Sequence, residues 1–159
     1  MLFESTKVLE EMGFKGFVKV KDLRGNFESI PKCSGVYMVL NPNMEKLSFL
    51  ETGTGGFFKG KNPNVGISVL NDKWIDNTIV IYIGQTGNTL RRRIGDYIKF
   101  GQNKPVGHWG GRYIWQIKDA ENLIFCWMKV DNTAPSIIEE QLLQDFKNKY
   151  SYLPFANLR

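Results

Sequence analysis

Three short apolar runs constrain this chain more than any other feature: GVYMVL at 35–40, IVIYIG at 79–84 and LIFCWMKV at 123–130. Each is nearly continuous in apolar residues and rich in β-branched or aromatic ones. Their length is that of strands and is short for amphipathic helices. A chain carrying three such runs has to bury a sheet. A further short strand is predicted at 17–20.

The segments between the runs carry helical spacing. Residues 3–12 place Phe3, Val8, Leu9 and Met12 roughly on one face, and Gly13 and Gly16 end that helix. Gln85 to Thr89 is a polar turn in which Asn88 or Thr89 suits an N-cap, and a helix then runs to about Phe100. Its stripe is Leu90, Ile94, Tyr97 and Ile98, the i, i+4, i+7, i+8 pattern of one face. Thr133 and Pro135 open the last helix, 136–149, which puts Ile138, Leu142, Leu143 and Phe146 on one face. Residues 101–118 fit helix and strand equally. The predicted fold is α+β: a small, mainly antiparallel three-stranded sheet of 35–40, 79–84 and 123–130, with helices at 90–100 and 136–149 packed on it.

At 159 residues the chain is one domain's worth of sequence, with an N-terminal extension over 1–30 and an insertion over about 41–78. It has no run of about 18 apolar residues, so no membrane span is expected. The N-terminal MLFESTKVLEEMGF lacks the basic-then-apolar pattern of a signal peptide, which points to an intracellular, cytoplasmic protein. Cys33 and Cys126 are too few for a disulfide framework or a four-ligand zinc site. The single histidine, His108, excludes zinc hydrolase sites of the HExxH type. Lys plus Arg number 21 against 16 Asp plus Glu, a net charge of +5 that directs attention to nucleic acid. Aromatic residues at 13% suit base stacking and suit a packed core equally.

Gly55, Gly60 and Lys61 satisfy G-x-x-x-x-G-K, but Asn62 stands where a phosphate loop needs a hydroxyl, and Pro63 and Gly66 deny a following helix. The segment therefore reads as a surface loop, expected to be mobile. Its Phe57 and Phe58, with Lys59 and Lys61, are suited to stacking on bases and meeting phosphates, or else one phenylalanine caps the core and the loop is idle. Arg93 shares a helix face with Leu90 and Tyr97, so it points toward the sheet and needs an anionic partner. A phosphodiester would serve, and so would an internal acid such as Glu139. Arg91 and Arg92 point elsewhere, as DNA-backbone contacts or solvated charges. Glu139 shares its face with Leu142, Leu143 and Phe146, whereas Glu140 falls to the side. An acid there is either a charge near the positive end of the helix dipole or a metal ligand. Tyr37 and Tyr82, taken singly, are half-buried core tyrosines. His108, in GHWGGR, is a structural or surface residue or a phosphate contact.

Taken together, Gly35-Val36-Tyr37, Tyr82-Ile83-Gly84, the stretch YIGQTGNTLRRRIGDY, the helix segment EEQLLQDF and the 154–157 tail resemble the GIY-YIG nuclease family. The resemblance covers residues 35 to 157 in the family's order. The two tyrosine motifs are further apart than usual, and Gln85 stands where the family often has lysine. What the resemblance implies is hydrolysis of DNA phosphodiesters by a one-metal, in-line attack of water. Glu139 would bind one magnesium, or a like cation such as manganese, and Arg93 would clamp the scissile phosphate. Tyr37 first, and Tyr97 second, would orient or deprotonate the water. Tyr82 would position the phosphate, and Asn157 would orient Glu139 or the backbone of the site. Arg91, Arg92, His108, Lys59 and Lys61 are the expected DNA contacts. No separate DNA-reading domain is evident, which favours a stand-alone restriction-like enzyme, suited to a homodimer on a palindromic site. The alternative is a non-catalytic nucleic-acid-binding module on the same fold.

Overall fold

The computed structural model describes residues 2–158. The first helix, α1 (Thr6–Met12), starts later than its apolar spacing suggests, because Ser5 caps it and accepts from the Val8 amide at 3.2 Å. Phe3 lies before the cap and packs into the core. The helix stops at Gly13, whose φ of 119° is open only to glycine without strain.

The sheet has four strands, not three. β1 (Lys15–Lys19) pairs antiparallel with β4 (Ile124–Lys129), β4 with β2 (Gly35–Leu40), and β2 with β3 (Val80–Thr86), in the order β1-β4-β2-β3. β1 is short, lysine-flanked and bulged between Gly16 and Val18, where Phe17 takes a φ of 57°. Such a strand carries little pattern of its own, and its pairing depends on a partner more than 100 residues away. The one-turn helix α2 (Val20–Leu23) follows it.

Every residue of β2 is buried, because both faces of the sheet are covered. One face gathers Tyr37, Val39, Phe125 and Trp127 under α4 (Leu90–Phe100) and a 3-10 helix at Trp109–Gln116. The other gathers Val36, Met38, Leu40 and Cys126 with α1 and α5 (Pro135–Tyr150), whose Leu142, Leu143 and Phe146 face inward. Cross-strand partners keep to one face, Val39 with Phe125 and Met38 with Cys126, as the period of two requires. α4 has its expected bounds, with the Thr89 hydroxyl accepting from the Arg92 amide at 3.2 Å. Residues 101–118, undecided by pattern, form the 3-10 helix and its glycine-rich approach.

The inserted segment is part of the packing. It contains α3 (Ile67–Lys73), and Phe49 stacks on Phe155 with ring centroids 5.4 Å apart. The loop at 52–66 is tied down. The Gln116 side chain accepts from the Val65 amide at 2.9 Å and donates to its carbonyl at 2.8 Å, and the Phe100 carbonyl accepts from Gly56. The free edge of β3 is covered by the tail: Ala156 donates to the Ile81 carbonyl at 2.8 Å. That removes an open strand edge. No helix among the described residues is long and apolar enough to cross a membrane.

Candidate active site

Tyr37 pairs across the ladder with Gly84, and Tyr82 pairs with Val39, so the two tyrosines are diagonal neighbours on one face. Gly84 is what lets them meet. A Cβ there would stand 2.5 Å from the Tyr37 ring and 2.8 Å from the Tyr82 ring. With no side chain between them, their centroids lie 6.0 Å apart. α4 crosses this face and adds Tyr97, edge-on to Tyr82 at 5.3 Å and to Tyr37 at 6.5 Å. Arg93, one turn earlier, brings its guanidinium into hydrogen-bonding reach of the Tyr37 hydroxyl, which Tyr82 also meets.

The segment 107–111 closes over this group, and each of three site side chains holds it. Arg93 Nη1 donates to the Gly107 carbonyl at 3.1 Å, and Tyr97 Oη donates to the Gly111 carbonyl at 2.6 Å. Tyr37 Oη and His108 Nε2 are hydrogen-bonded at 2.7 Å. The His108 ring stacks on Tyr97 with centroids 3.5 Å apart and planes 13° from parallel. Gly111 is as close a fit as Gly84, since any Cβ there would overlap the Tyr97 hydroxyl.

Burial sets the charge state of the interior. It raises Tyr37 well above the ordinary phenol range, helped by Tyr82 and opposed by Arg93. It raises Tyr97 likewise, with Tyr82 and then Tyr37 adding to it. It pushes His108 well below its ordinary value, and the Arg93 charge pushes the same way. Tyr37, Tyr97 and His108 are therefore neutral, and Arg93 is the cation among them. On its outer side Arg93 joins Arg92, Thr86, Asn88 and Asp96 around a cleft of about 270 Å3. Thr86, Asn88 and Asp96 carried no motif that would have marked them in sequence.

The other expected residues fall in different places. Glu139 is 7% exposed and Glu140 is exposed, so the helix register is as expected. Yet Glu139 does not sit on the tyrosine face, because α5 packs on the opposite face beside Val36, Met38 and Ile83. Its helix begins where β4 ends, opposite Gly35, and Gly35 pairs with Thr86, the end of β3. Glu139 and Arg93 thus come from opposite faces toward the same end of the sheet. Asn157 pairs with backbone: it accepts from the Ile83 amide at 3.0 Å and donates to the Ile83 carbonyl at 2.8 Å. This fixes the strand between Tyr82 and Gly84. Arg91 is spent on structure, donating to the Ile30 and Glu28 carbonyls at 2.8 and 2.9 Å, and is no free DNA contact. Arg92, Lys59 and Lys61 are exposed. Phe58 packs against Trp109 and the core while Phe57 projects into solvent. His108 is deep in the site, not on a phosphate-facing surface. Its flanking glycines were the one trace of this in sequence.

Among the described residues no three of His, Cys, Asp and Glu cluster into a metal cage. Magnesium does not need one, since it commonly takes one or two carboxylates and keeps several waters. One hard carboxylate, Glu139, fits that habit. In comparison with known proteins, no family model, no curated protein sequence and no solved structure matches the chain.

Proposed function

We propose that this chain is a DNA endonuclease of the GIY-YIG type, hydrolysing phosphodiester bonds in the cytoplasm as a stand-alone, restriction-like enzyme. The observation that carries the reading is the meeting of Tyr37, Tyr82 and Arg93 behind a cleft that Arg92 also lines. Arg93 is half-buried, already oriented by Gly107, and open toward that cleft. A phosphodiester seated there would meet a planar fork of donors that lysine does not offer. The same donors would offset the charge that develops at phosphorus. Tyr82, at the edge of the buried group, would hold the attacking water in line, with Tyr37 behind it. Tyr97 supports the site by holding Gly111, and Asn157 by holding Ile83. Glu139 would hold a magnesium or manganese ion, which supplies stabilisation of the leaving oxygen. A homodimer would suit a palindromic target.

A second reading, a non-catalytic DNA-binding module, is favoured by one observation. Tyr37 and Tyr97 are shut in, with hydroxyls bonded to the 107–111 segment. The two readings part in a plasmid-nicking assay with magnesium. Nicking that is lost in Glu139→Ala while gel-shift affinity persists supports the endonuclease. Binding without nicking by the unaltered chain supports the module.

A further inference from the structure

Three groups with exchangeable hydrogens meet in the interior behind Arg93, which lines the cleft. Tyr82 is the least buried of the site tyrosines, 8% exposed. The Tyr37 hydroxyl is within hydrogen-bonding reach of Tyr82, and His108 Nε2 lies 2.7 Å beyond. Every other group around Tyr37 is a poor acceptor. Tyr82 and Tyr97 offer only weakly basic phenolic oxygens, and the Arg93 guanidinium has no acceptor. His108 is the one group there that can offer a basic lone pair, in the tautomer that carries its hydrogen on Nδ1. Its Nδ1 is buried without a hydrogen-bond partner among the described residues, so the bond to Tyr37 is what orients the ring's polar edge. The Tyr97 ring, stacked flat on it, holds the plane.

Resting on the endonuclease reading, we propose that His108 is the internal proton acceptor of the site, taking the Tyr37 phenolic hydrogen on Nε2 while Tyr82 and Tyr37 pass inward the proton of the attacking water. One O–H bond of the water breaks, and its hydrogen goes to the Tyr82 oxygen. The Tyr82 hydrogen goes to Tyr37, and the Tyr37 hydrogen goes to Nε2. The resulting hydroxide bonds to phosphorus as the bond from phosphorus to the leaving sugar oxygen breaks, and solvent protonates that oxygen. The imidazolium then returns its proton outward along the same line. His108 acts through the tyrosines, so it is a positioning residue rather than one that touches substrate.

Electrostatics couple this device to the substrate. The groups facing His108 are Tyr37 from β2, Tyr82 from β3, and Arg93 and Tyr97 from α4. Arg112, from its own segment, is turned onto the Trp109 ring at 4.4 Å. In the free protein burial and the Arg93 charge keep His108 neutral. An anionic phosphate on Arg93 offsets the nearest positive charge and makes the imidazolium easier to form.

Because His108 is the chain's one histidine, nitrogen-15 NMR of the full-length protein reads it without ambiguity. The expected spectrum is a neutral ring with the hydrogen on Nδ1 and a lone pair on Nε2, altered in Tyr37→Phe. A hydrogen on Nε2 overturns the proposal, since Tyr37 would then be the acceptor. The second measurement is the pH profile of plasmid nicking with magnesium. The unaltered chain should be flat above neutral pH. His108→Gln, and His108→Asn should that variant not fold, should be slowed about 100-fold at neutral pH, the low end of general-base contributions. The rate of either variant should then climb roughly tenfold per pH unit as hydroxide replaces the missing acceptor. An equal loss at every pH means a merely structural histidine and overturns the proposal. If the unaltered chain nicks nothing, the endonuclease reading fails and takes the acceptor role with it, whatever the NMR result says about the hydrogen bond.

Discussion

The two faces of this sheet are built from the same strands and differ in almost everything else. One is largely apolar: Val36, Met38, Leu40, Cys126, Leu142 and Phe146 pack together there, and Glu139 is the buried carboxylate on the helix that covers it. The other places three tyrosines, a histidine and an arginine at its centre, and each polar atom that meets a partner meets a specific one. Burying hydroxyls and an imidazole stabilises less than burying Leu or Phe, which contributes about 1.5–3 kcal/mol each. A face that holds such groups is specified for something other than stability. The contrast teaches that a single strand, such as β2, can face an apolar layer with its even positions and a cluster of polar groups with its odd ones.

The largest effect belongs to Glu139, the carboxylate on the apolar side of the sheet. Glu139→Ala should abolish nicking and leave DNA affinity nearly unchanged, because phosphate contacts supply most affinity. Side-by-side nicking and gel-shift assays check this, and activity lost in Glu140→Ala but kept in Glu139→Ala would show that the wrong acid had been chosen. Next come two substitutions that set one face against the other. Phe146→Ala on the apolar face should lower unfolding stability by about 3–5 kcal/mol. Arg93→Lys on the polar face should cost less than about 1 kcal/mol of stability yet slow nicking by about 10²–10³-fold. Equal stability losses in urea titrations of the two variants would erase the distinction between faces.

Smaller effects sharpen it. Asn157→Ala strands the Ile83 amide and carbonyl at the β3 edge, at a cost of about 1–3 kcal/mol. Fast amide exchange at Ile83 is the accompanying signature. The pH dependence of stability should come from the polar face. A histidine held below its ordinary value in the fold binds its proton more readily when unfolded, so stability is complete above about pH 6.5 and falls as the solution is acidified. One such group gives a slope of at most about 1.4 kcal/mol per pH unit, and His108→Gln should flatten it. The smallest expected change is Arg92→Ala, which should weaken DNA binding mildly and lower its salt slope by about one.

What could be read beforehand follows how local its cause is. The extents of β2 and α4 were legible because β-branched runs and an i, i+4, i+7 stripe report local periodicity. That Glu139 is buried and Glu140 exposed was legible for the same reason, since register on one helix is a local property. So were the tyrosine pairing and Arg93, whose faces follow from strand and helix periods. A short strand was legible at 17–20, but its place as the fourth strand of the sheet was not, because β1 is held by β4 from the far end of the chain. Arg91 looked as free as Arg92, and only the loop at 28–31, folding back across α4, revealed its carbonyl partners.

The sequence by itself determined β2, β3, β4, α4 and α5 and the faces they present, because each rests on spacing along one segment. The tertiary structure decided which face met which. It put Glu139 on the far side of the sheet, laid Asn157 against Ile83, and folded 107–111 down so that a lone histidine met Tyr37. Those are contacts across 71 and 74 residues of chain, and no local periodicity encodes them. They exist because burying both faces of β2 leaves one compact way to bring the later segments back.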